Sequence, residues 1–239
     1  MHNAASKKQS PIPVHHVHWK RSWRIISTRY PDVNLFERVT KPEDRAAVNA
    51  LESMTNPRER QARGEVIVLR PGDHFLKTAS PDIKSAFSHF AKGRFSNGTF
   101  GVFYTASTQT TAIYEKAHHH IQFLQATKQG PMTLQMRVMR SEVDADLHDL
   151  RGFKKEQAAL YHPTHYVASQ ALALELWNQG AEGIVYDSVR HDKGQCAAVF
   201  SPQAIRHCFK DRILIFEWNG KDTIIVAELK EFLKFPKGK

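Results

Sequence analysis

The sequence has little cysteine, with only Cys196 and Cys208 among 239 residues. Two thiols do not make a disulfide framework, so we expect both to be structural or incidental in a reducing cytoplasm. The longest apolar runs, such as Ile213–Phe216, are far too short to span a bilayer. The first 24 residues also lack the apolar core of a signal peptide. We therefore expect a cytoplasmic protein with no membrane partner.

Several familiar binding motifs are missing as well. The chain has neither a G-x-x-x-x-G-K-[ST] phosphate loop nor a G-x-G-x-x-G fingerprint, and it has no H-E-x-x-H or Cys/His metal spacing. Its fourteen histidines include the runs His118–His120 and His15–His18. Adjacent histidines on a helix point in different directions, so we predict no metal site and no resident cofactor.

Positive charge is in excess, with 34 Lys and Arg against 24 Asp and Glu, or a formal net charge of +10. Most of it is spread thinly, with some enrichment at the two ends of the chain. Such a balance suits an anionic ligand or an acidic protein partner. No dense basic stripe with interleaved aromatic residues occurs, so the sequence does not predict a nucleic-acid-binding surface.

The order of predicted elements indicates one α+β domain over residues 21–239, after a flexible basic tail over residues 1–20. Strands cluster without regular βαβ alternation, which favours mixed, mainly antiparallel sheets with flanking helices. Predicted strands are Trp23–Ser27, Glu65–Leu69, Val102–Thr105, Met132–Met139, Gly183–Tyr186, Ala197–Phe200, Ile213–Trp218 and Thr223–Val226. Predicted helices are Pro42–Met54, Asp82–Phe90, a segment from Ser107 to about Lys128, Tyr166–Asn178 and Ala227–Leu233. A turn is predicted at Arg70–Asp73.

One unit of the chain concentrates the chemistry. Arg94 lies in a loop rich in Gly, Ser and Asn, Tyr104 lies on a predicted strand, and Glu115 falls in the second turn of the next helix. A guanidinium suits a phosphate, an aromatic ring can stack on a planar base, and a carboxylate can stabilise developing positive charge. Together these three groups suit a dinucleotide that is to be cleaved.

At these residues the chain resembles the RES domain family, which is named for its arginine, glutamate and serine. The serine of this chain is Ser188. The segments that carry the resemblance are Gly93–Ser96, Gly101–Ser107, Thr111–Glu115, Gly183–Arg190, Gly194–Phe200, Trp23–Ile26, Leu35–Val39, Leu51–Arg58 and Leu147–Gly152. They extend over roughly residues 22–220. Many small members carry an asparagine shortly before the final phenylalanine, where this chain has Gln195 or Cys196.

The resemblance implies an ADP-ribosyltransferase-like fold and a toxin of a toxin–antitoxin pair. Several RES-domain proteins destroy NAD by hydrolysis or phosphorolysis, and some transfer ADP-ribose to a protein. NAD would then be the substrate rather than a cofactor, and an acidic antitoxin would be the protein partner. The acceptor, whether water, phosphate or a protein side chain, stays open.

The resemblance assigns catalytic roles to Glu115, Arg94, Tyr104 and Ser188. Glu115 would stabilise the ribosyl cation, Arg94 would hold the pyrophosphate, Tyr104 would orient nicotinamide, and Ser188 would fix the ribose. Substrate-binding candidates are Arg24, Arg190, Gln195 and Phe200.

Each of these residues also has an ordinary structural interpretation. Arg94 can be a surface arginine, Tyr104 and Phe200 core residues, and Ser188 a turn cap. The spacing of Ile113, Ala117, Ile121 and Leu124 places Glu115 on another, solvated side of its helix. Two other classes of function stay open, a non-catalytic basic binding module and a metal-dependent hydrolase that uses the histidines.

Overall fold

The computed structural model describes residues 12–28, 69–77, 79–88 and 90–230. Within these ranges the chain forms seven strands and three α-helices. They are β1 (Val14–Ser27), α1 (Pro81–Ser88), β2 (Phe103–Ala106), α2 (Gln109–Ala126), β3 (Met132–Asp149), α3 (Val167–Asn178), β4 (Gly183–Asp187), β5 (Gln195–Val199), β6 (Ile205–Trp218) and β7 (Ile224–Glu228). None of these three helices combines the length and apolar character needed to cross a membrane.

The strands form one sheet in the order β1-β2-β5-β4-β3-β6-β7, and β1 also pairs with β3. The pairings β1–β2–β5–β4–β3 therefore close on themselves, while β6 and β7 extend the sheet beyond β3. Every pairing is antiparallel except that between β3 and β4. The predicted mixed, mainly antiparallel α+β architecture is confirmed.

Both faces of the central strands are buried, because successive side chains enter two different hydrophobic clusters. In β4, Ile184 and Tyr186 pack in a first core cluster, whereas Val185 packs in a second. Cys196 and Ala198 of β5 belong to the first cluster. This explains why β4 and β5 read as continuous apolar runs rather than as alternating patterns.

Helix α2 begins where its sequence predicts. The backbone N–H of Thr111 donates to the Thr108 side-chain oxygen at 3.1 Å, which makes Thr108 the N-cap. The helix then runs to Ala126 and places Glu115 in its second turn. The predicted arrangement of Arg94 before a strand, Tyr104 on it and Glu115 on the following helix is confirmed.

Gly101 allows β2 to pass close to α1. A Cβ atom at this position would lie 2.4 Å from the Cα of Phe87, well inside van der Waals contact. The obstructing atom belongs to the backbone, so no side-chain rotation relieves the clash. Glycine at position 101 thus fixes the entry of the strand that carries Tyr104.

Two of the predicted segments are wrong. Residues Val14–Lys20 belong to β1 instead of a flexible tail. His16 and His18 occupy the outer face, where His16 pairs with Asp144 and Asp146 of β3, while Val17 is buried on the other face. The polar composition of residues Val14–Lys20 was therefore misinterpreted as a flexible tail, although these residues form part of a half-buried strand.

At the other end of the described chain, Ala227 and Glu228 pair with β6 as part of β7 and do not begin a helix. Leu229 and Lys230 are not helical either. The predicted helix Pro42–Met54, nearly all of the strand Glu65–Leu69, and the RES-like segments over residues 35–39 and 51–58 lie outside the described residues.

Candidate active site

A hydrogen bond joins two residues that lie 73 positions apart in the sequence, Glu115 and Ser188. The Ser188 hydroxyl donates to Oε1 of Glu115 at 2.6 Å. The Ser188 hydroxyl oxygen in turn accepts hydrogen bonds from the backbone N–H groups of Arg190 and His191, at 3.0 and 2.9 Å. Because a hydroxyl has one proton and two lone pairs, these two donors orient its proton toward the glutamate. Ser188 therefore fixes the orientation of the Glu115 carboxyl.

The Glu115 side chain faces the interior, so the prediction of a solvated position from helical spacing alone is wrong. Its Oε1 lies 3.9 Å from the sulfur of Cys196, which is buried on β5. Burial and then the Glu115 charge raise the pKa of the Cys196 thiol well above its ordinary value. Burial is also the main cause that raises the pKa of Tyr186, and the Glu115 charge adds to it. No described residue makes a hydrogen bond to the second oxygen of Glu115.

Arg94 is buried, with 9% of its surface exposed, and none of the described residues gives it an acidic partner. Its Nη1 donates to the backbone oxygens of Leu160 and His162, both at 2.9 Å. The guanidinium lies over the ring of Tyr166 at 4.7 Å. Within the described part of the chain, Nε and Nη2 make no hydrogen bond, so these two donors remain for a ligand.

Tyr104 supports the loop that carries Arg94. Its hydroxyl oxygen accepts the backbone N–H of Phe95 at 2.9 Å. A Cβ atom on Gly93 would lie 2.8 Å from this oxygen, so glycine is needed for the close approach. Burial raises the pKa of Tyr104, which keeps the phenol neutral and its proton available for donation.

Two further basic side chains lie near this site, Lys116 and His119, and sequence reasoning missed both as site residues. Burial, then the charge of Arg24, lowers the pKa of Lys116 to about 8. Burial and then the charges of Arg190, Lys116 and Arg94 lower the pKa of His119. No carboxylate within the described ranges lies within 4 Å of Arg94, Arg190 or Lys116. Lys116 follows Glu115 directly, a position that projects from the helix about 100° away, so helical spacing gave no reason to pair the two.

The structure does not bring all of the secondary candidates to Glu115. Arg190 donates to the backbone oxygen of Pro163, in the loop that also binds Arg94. Arg24 donates to the backbone oxygen of Tyr104 at 3.0 Å, and its guanidinium lies over the ring of Phe103. Because Phe103 packs in the second core cluster and Tyr104 against the first, Arg24 lies on the opposite side of β2 from the Tyr104 ring.

Phe200 occupies the core rather than an open wall. Its ring is 1% exposed and meets Phe100 edge to face, with the ring centres 5.5 Å apart. A role for Phe200 in substrate binding stays a prediction, and so does that of Arg24.

Gln195 belongs to a separate polar network at the end of β3. Its Oε1 accepts Nη1 of Arg151 at 3.2 Å, and Arg151 in turn pairs with Asp149. Nδ1 of His15, on β1, lies 2.9 Å from Asp149. Gln195 thus ties the start of β5 to β1 and β3, and its predicted contact with substrate stays a prediction.

This network predicts a loss of stability in acid. Burial alone would raise the pKa of Asp149, but hydrogen bonds from Arg151 and His15 outweigh it and lower the pKa to about 2. A depressed folded-state pKa stabilises the fold above the ordinary value of 3.8, and that stability is lost as pH falls toward 2. We expect about 2 kcal/mol of unfolding free energy to disappear over this interval. Denaturant titrations across it should show that Asp149→Asn lacks this contribution, and an unchanged pH dependence in the variant would contradict it.

The histidine run of α2 is not part of a metal-binding cluster among the described residues. No group of three or more His, Cys, Asp or Glu side chains in the described ranges is arranged to hold a metal ion. The rings of His118 and His119 diverge, at an interplanar angle of 69°.

Comparison with known proteins finds a family model, a curated relative and similar solved structures. The family model of the RES domain matches residues 68–219. The uncharacterized protein y4oC of Sinorhizobium fredii (strain NBRC 101917 / NGR234) is 22% identical over 205 residues, which cover 83% of each chain. A chain from the crystal structure of the M. tuberculosis MbcT–MbcA toxin–antitoxin complex is 13% identical, with a TM-score of 0.38 over 50% of this chain and 71% of that chain.

The matched region includes Arg94, Tyr104, Glu115 and Ser188, the four residues that the sequence singled out. It spans more than half of the chain. The protein therefore belongs to the RES domain family.

Proposed function

We propose that this protein consumes NAD by cleaving the bond between nicotinamide and ribose. The observation that carries the proposal is the Glu115 carboxyl, oriented by Ser188 at 2.6 Å. The charges of Arg94 and Arg190 act on His118 together with that of Glu115, and neither arginine has an acidic partner among the described residues. A single carboxylate among such cations suits a ligand that is strongly anionic at one end and develops positive charge at the other.

The cleavage step needs a group that stabilises a cation. As the glycosidic bond breaks, its electron pair leaves with the nicotinamide nitrogen and an oxocarbenium ion forms on the ribose. The oxygen of Glu115 that Ser188 does not engage can face this ribose or hold its 2′-hydroxyl. An oxygen of water or phosphate then bonds to the anomeric carbon and the acceptor loses a proton, which gives ADP-ribose or its 1-phosphate.

The cationic side of the site would bind the pyrophosphate. Nε and Nη2 of Arg94 form the free edge of a guanidinium that is already fixed by two carbonyl groups and an aromatic ring. Such a rigid fork loses little conformational entropy on binding two phosphate oxygens. Lys116 and Arg190 would supply further positive charge. Keeping these cations close together without a bound anion would destabilise the unliganded protein.

Ser188 and Tyr104 take roles that differ in part from those implied by the resemblance. Ser188 has its hydroxyl engaged with Glu115, so we assign it to positioning the carboxylate instead of contacting the ribose. Tyr104 holds the Arg94 loop through Phe95 and keeps a phenolic proton for the substrate. Stacking of its ring on nicotinamide remains compatible with this arrangement.

The cellular role we propose is that of a toxin, because RES-domain proteins are known as toxins of toxin–antitoxin pairs. Depletion of NAD would account for toxicity without any protein target. The corresponding antitoxin would be an acidic protein that covers the cationic site.

Nicotinamide release from NAD by the purified full-length chain tests the proposal. We expect catalytic release, with ADP-ribose as product in phosphate-free buffer if water is the acceptor. Strong acceleration by phosphate, with ADP-ribose 1-phosphate as product, would identify phosphorolysis.

If nicotinamide is released only when cell protein is added, and ADP-ribose is found attached to that added protein, the enzyme is an ADP-ribosyltransferase. No release and no labelling under any of these conditions would contradict the proposed reaction. Salt-dependent binding of an anionic partner without turnover would instead support a binding module.

A further inference from the structure

We propose that His191 is a positioning residue, which locks the loop carrying Ser188 against the helix carrying Glu115. The kinetic part of this inference rests on the proposed function, whereas its structural part does not. His191 does not contact the carboxyl of Glu115. It acts through Ser188 on one side and through the first turns of α2 on the other.

The backbone of the loop after β4 closes tightly around Ser188. The Ser188 N–H donates to the oxygen of Gly194 at 2.7 Å, and the Gly194 N–H donates to the oxygen of His191 at 3.1 Å. Lys193 adopts a left-handed conformation, with φ of 56°, to complete the loop. The His191 N–H bonds to the Ser188 hydroxyl at the same time. Where His191 sits therefore determines where the Ser188 hydroxyl points.

The ring of His191 attaches this loop to α2 through two contacts. Its Nδ1 lies 3.0 Å from Oγ1 of Thr111, a fully buried residue that is also bonded to the N-cap Thr108. Its plane stacks on the ring of Tyr114, at 4.7 Å between centres and 10° between planes. The hydrogen bond to Thr111 is directional and fixes the distance of the His191 ring from α2, whereas stacking on Tyr114 fixes the tilt of the ring.

Gly194 shows independently how closely this contact is packed. A Cβ atom at position 194 would lie 2.8 Å from Nδ1 of His191 and 2.8 Å from Oγ1 of Thr111. Any other residue would push the two partners apart. The junction between the loop and the helix thus needs a glycine at the end of the loop, just before β5, a histidine in the loop and a threonine on the helix.

The junction matters to the site because Thr111 and Glu115 lie one helical turn apart on the same face of α2. Fixing His191 to Thr111 therefore brings Ser188 alongside Glu115. Without the contact between His191 and Thr111, the Ser188 hydroxyl would lose its defined direction. The Glu115 carboxylate would then lose its hydrogen bond from Ser188, and the Cys196 thiol is the other donor to it among the described residues. Misplacement of a catalytic group by about 1 Å can lower a rate about a hundredfold.

The test uses three substitutions that separate the two contacts. His191→Phe keeps a flat ring on Tyr114 but cannot bond to Thr111, whereas His191→Asn keeps a polar group near the position of Nδ1 without the stack. Thr111→Val removes the hydroxyl with little change in shape. The readouts are kcat and KM for nicotinamide release, thermal unfolding, and hydrogen exchange of the Arg190 and His191 amides.

We expect His191→Phe and Thr111→Val each to lower kcat by about ten- to a hundredfold, with KM changed by less than about threefold. Their combination should be no slower than Thr111→Val alone, because His191→Phe removes only the Thr111–His191 hydrogen bond, which Thr111→Val also removes together with the bond to Thr108. His191→Asn should recover part of the loss. The amides of Arg190 and His191 should exchange at least about ten times faster in both single variants, since their acceptor becomes mobile.

Asp192→Ala is the matched control, because Asp192 is an exposed neighbour in the same loop without a bond to Ser188 or Thr111. It should leave turnover and exchange unchanged. If His191→Phe does not fold, the nearly isosteric Thr111→Val carries the test alone. Wild-type exchange rates in both single variants would overturn the inference, even if the protein released no nicotinamide. Faster exchange with unaltered turnover would overturn its catalytic part.

Discussion

Replacing Glu115 with Gln should lower kcat for nicotinamide release by about a thousandfold, with a much smaller change in KM for NAD. The substitution keeps the size of the side chain and can still accept the Ser188 hydroxyl on its amide oxygen. It removes the negative charge that would stabilise the ribosyl cation, an interaction made chiefly in the transition state. Loss of kcat without loss of binding is the expected signature of that role.

Glu175→Gln is a suitable control for this variant. Glu175 is an exposed helical glutamate whose carboxylate contacts only Gln179 among the described residues. Its substitution should leave kcat unchanged, and both variants should unfold at the wild-type temperature within a few degrees. If Glu115→Gln turned over NAD at more than about a tenth of the wild-type rate, the carboxylate would not be the group that stabilises the cation.

Replacing Arg94 with Lys should raise KM for NAD by about ten- to a hundredfold, the effect of losing one or two charge-assisted hydrogen bonds. Lysine retains the charge but has no planar fork, so it cannot bind two carbonyl oxygens, stack on Tyr166 and still present two donors. Because the carbonyls of Leu160 and His162 also lose their donor, we expect a loss of about 1–3 kcal/mol in unfolding free energy.

The matched control is Arg140→Lys. Arg140 also lies over an aromatic ring, that of Phe209 at 4.5 Å, but it belongs to the β3–β6 pairing. If its substitution lowers stability while KM stays constant, the KM effect at Arg94 cannot be ascribed to general destabilisation. Equal KM values for wild type and Arg94→Lys would show that the pyrophosphate is bound elsewhere.

Local sequence signals predicted the frame of this site well. The helical segment from Ser107 to about Lys128 corresponds to α2, and the predicted strand Val102–Thr105 before it corresponds to β2. Because β2 and α2 were predicted correctly, the positions of Arg94 in the loop, Tyr104 on the strand and Glu115 on the helix were also predicted correctly. These features depend on residues that are near one another in sequence.

Long-range contacts account for what the sequence did not predict. Helical spacing placed Glu115 on a solvated face because it takes no account of Ser188, a residue 73 positions away that covers this face. The carbonyls that bind Arg94 lie 66 and 68 positions from it, and no side-chain pattern marks a backbone acceptor. The first half of β1 was missed for the same reason, since its histidines are stabilised by carboxylates of β3.

The most direct test of the central claim is a structure of the Glu115→Gln variant with NAD bound. We predict that the nicotinamide ribose lies within hydrogen-bonding distance of residue 115 and that the pyrophosphate is bound by Nε and Nη2 of Arg94. Intact NAD in that orientation would support the proposed cleavage. NAD bound with its pyrophosphate away from Arg94, or with its ribose out of reach of residue 115, would contradict it.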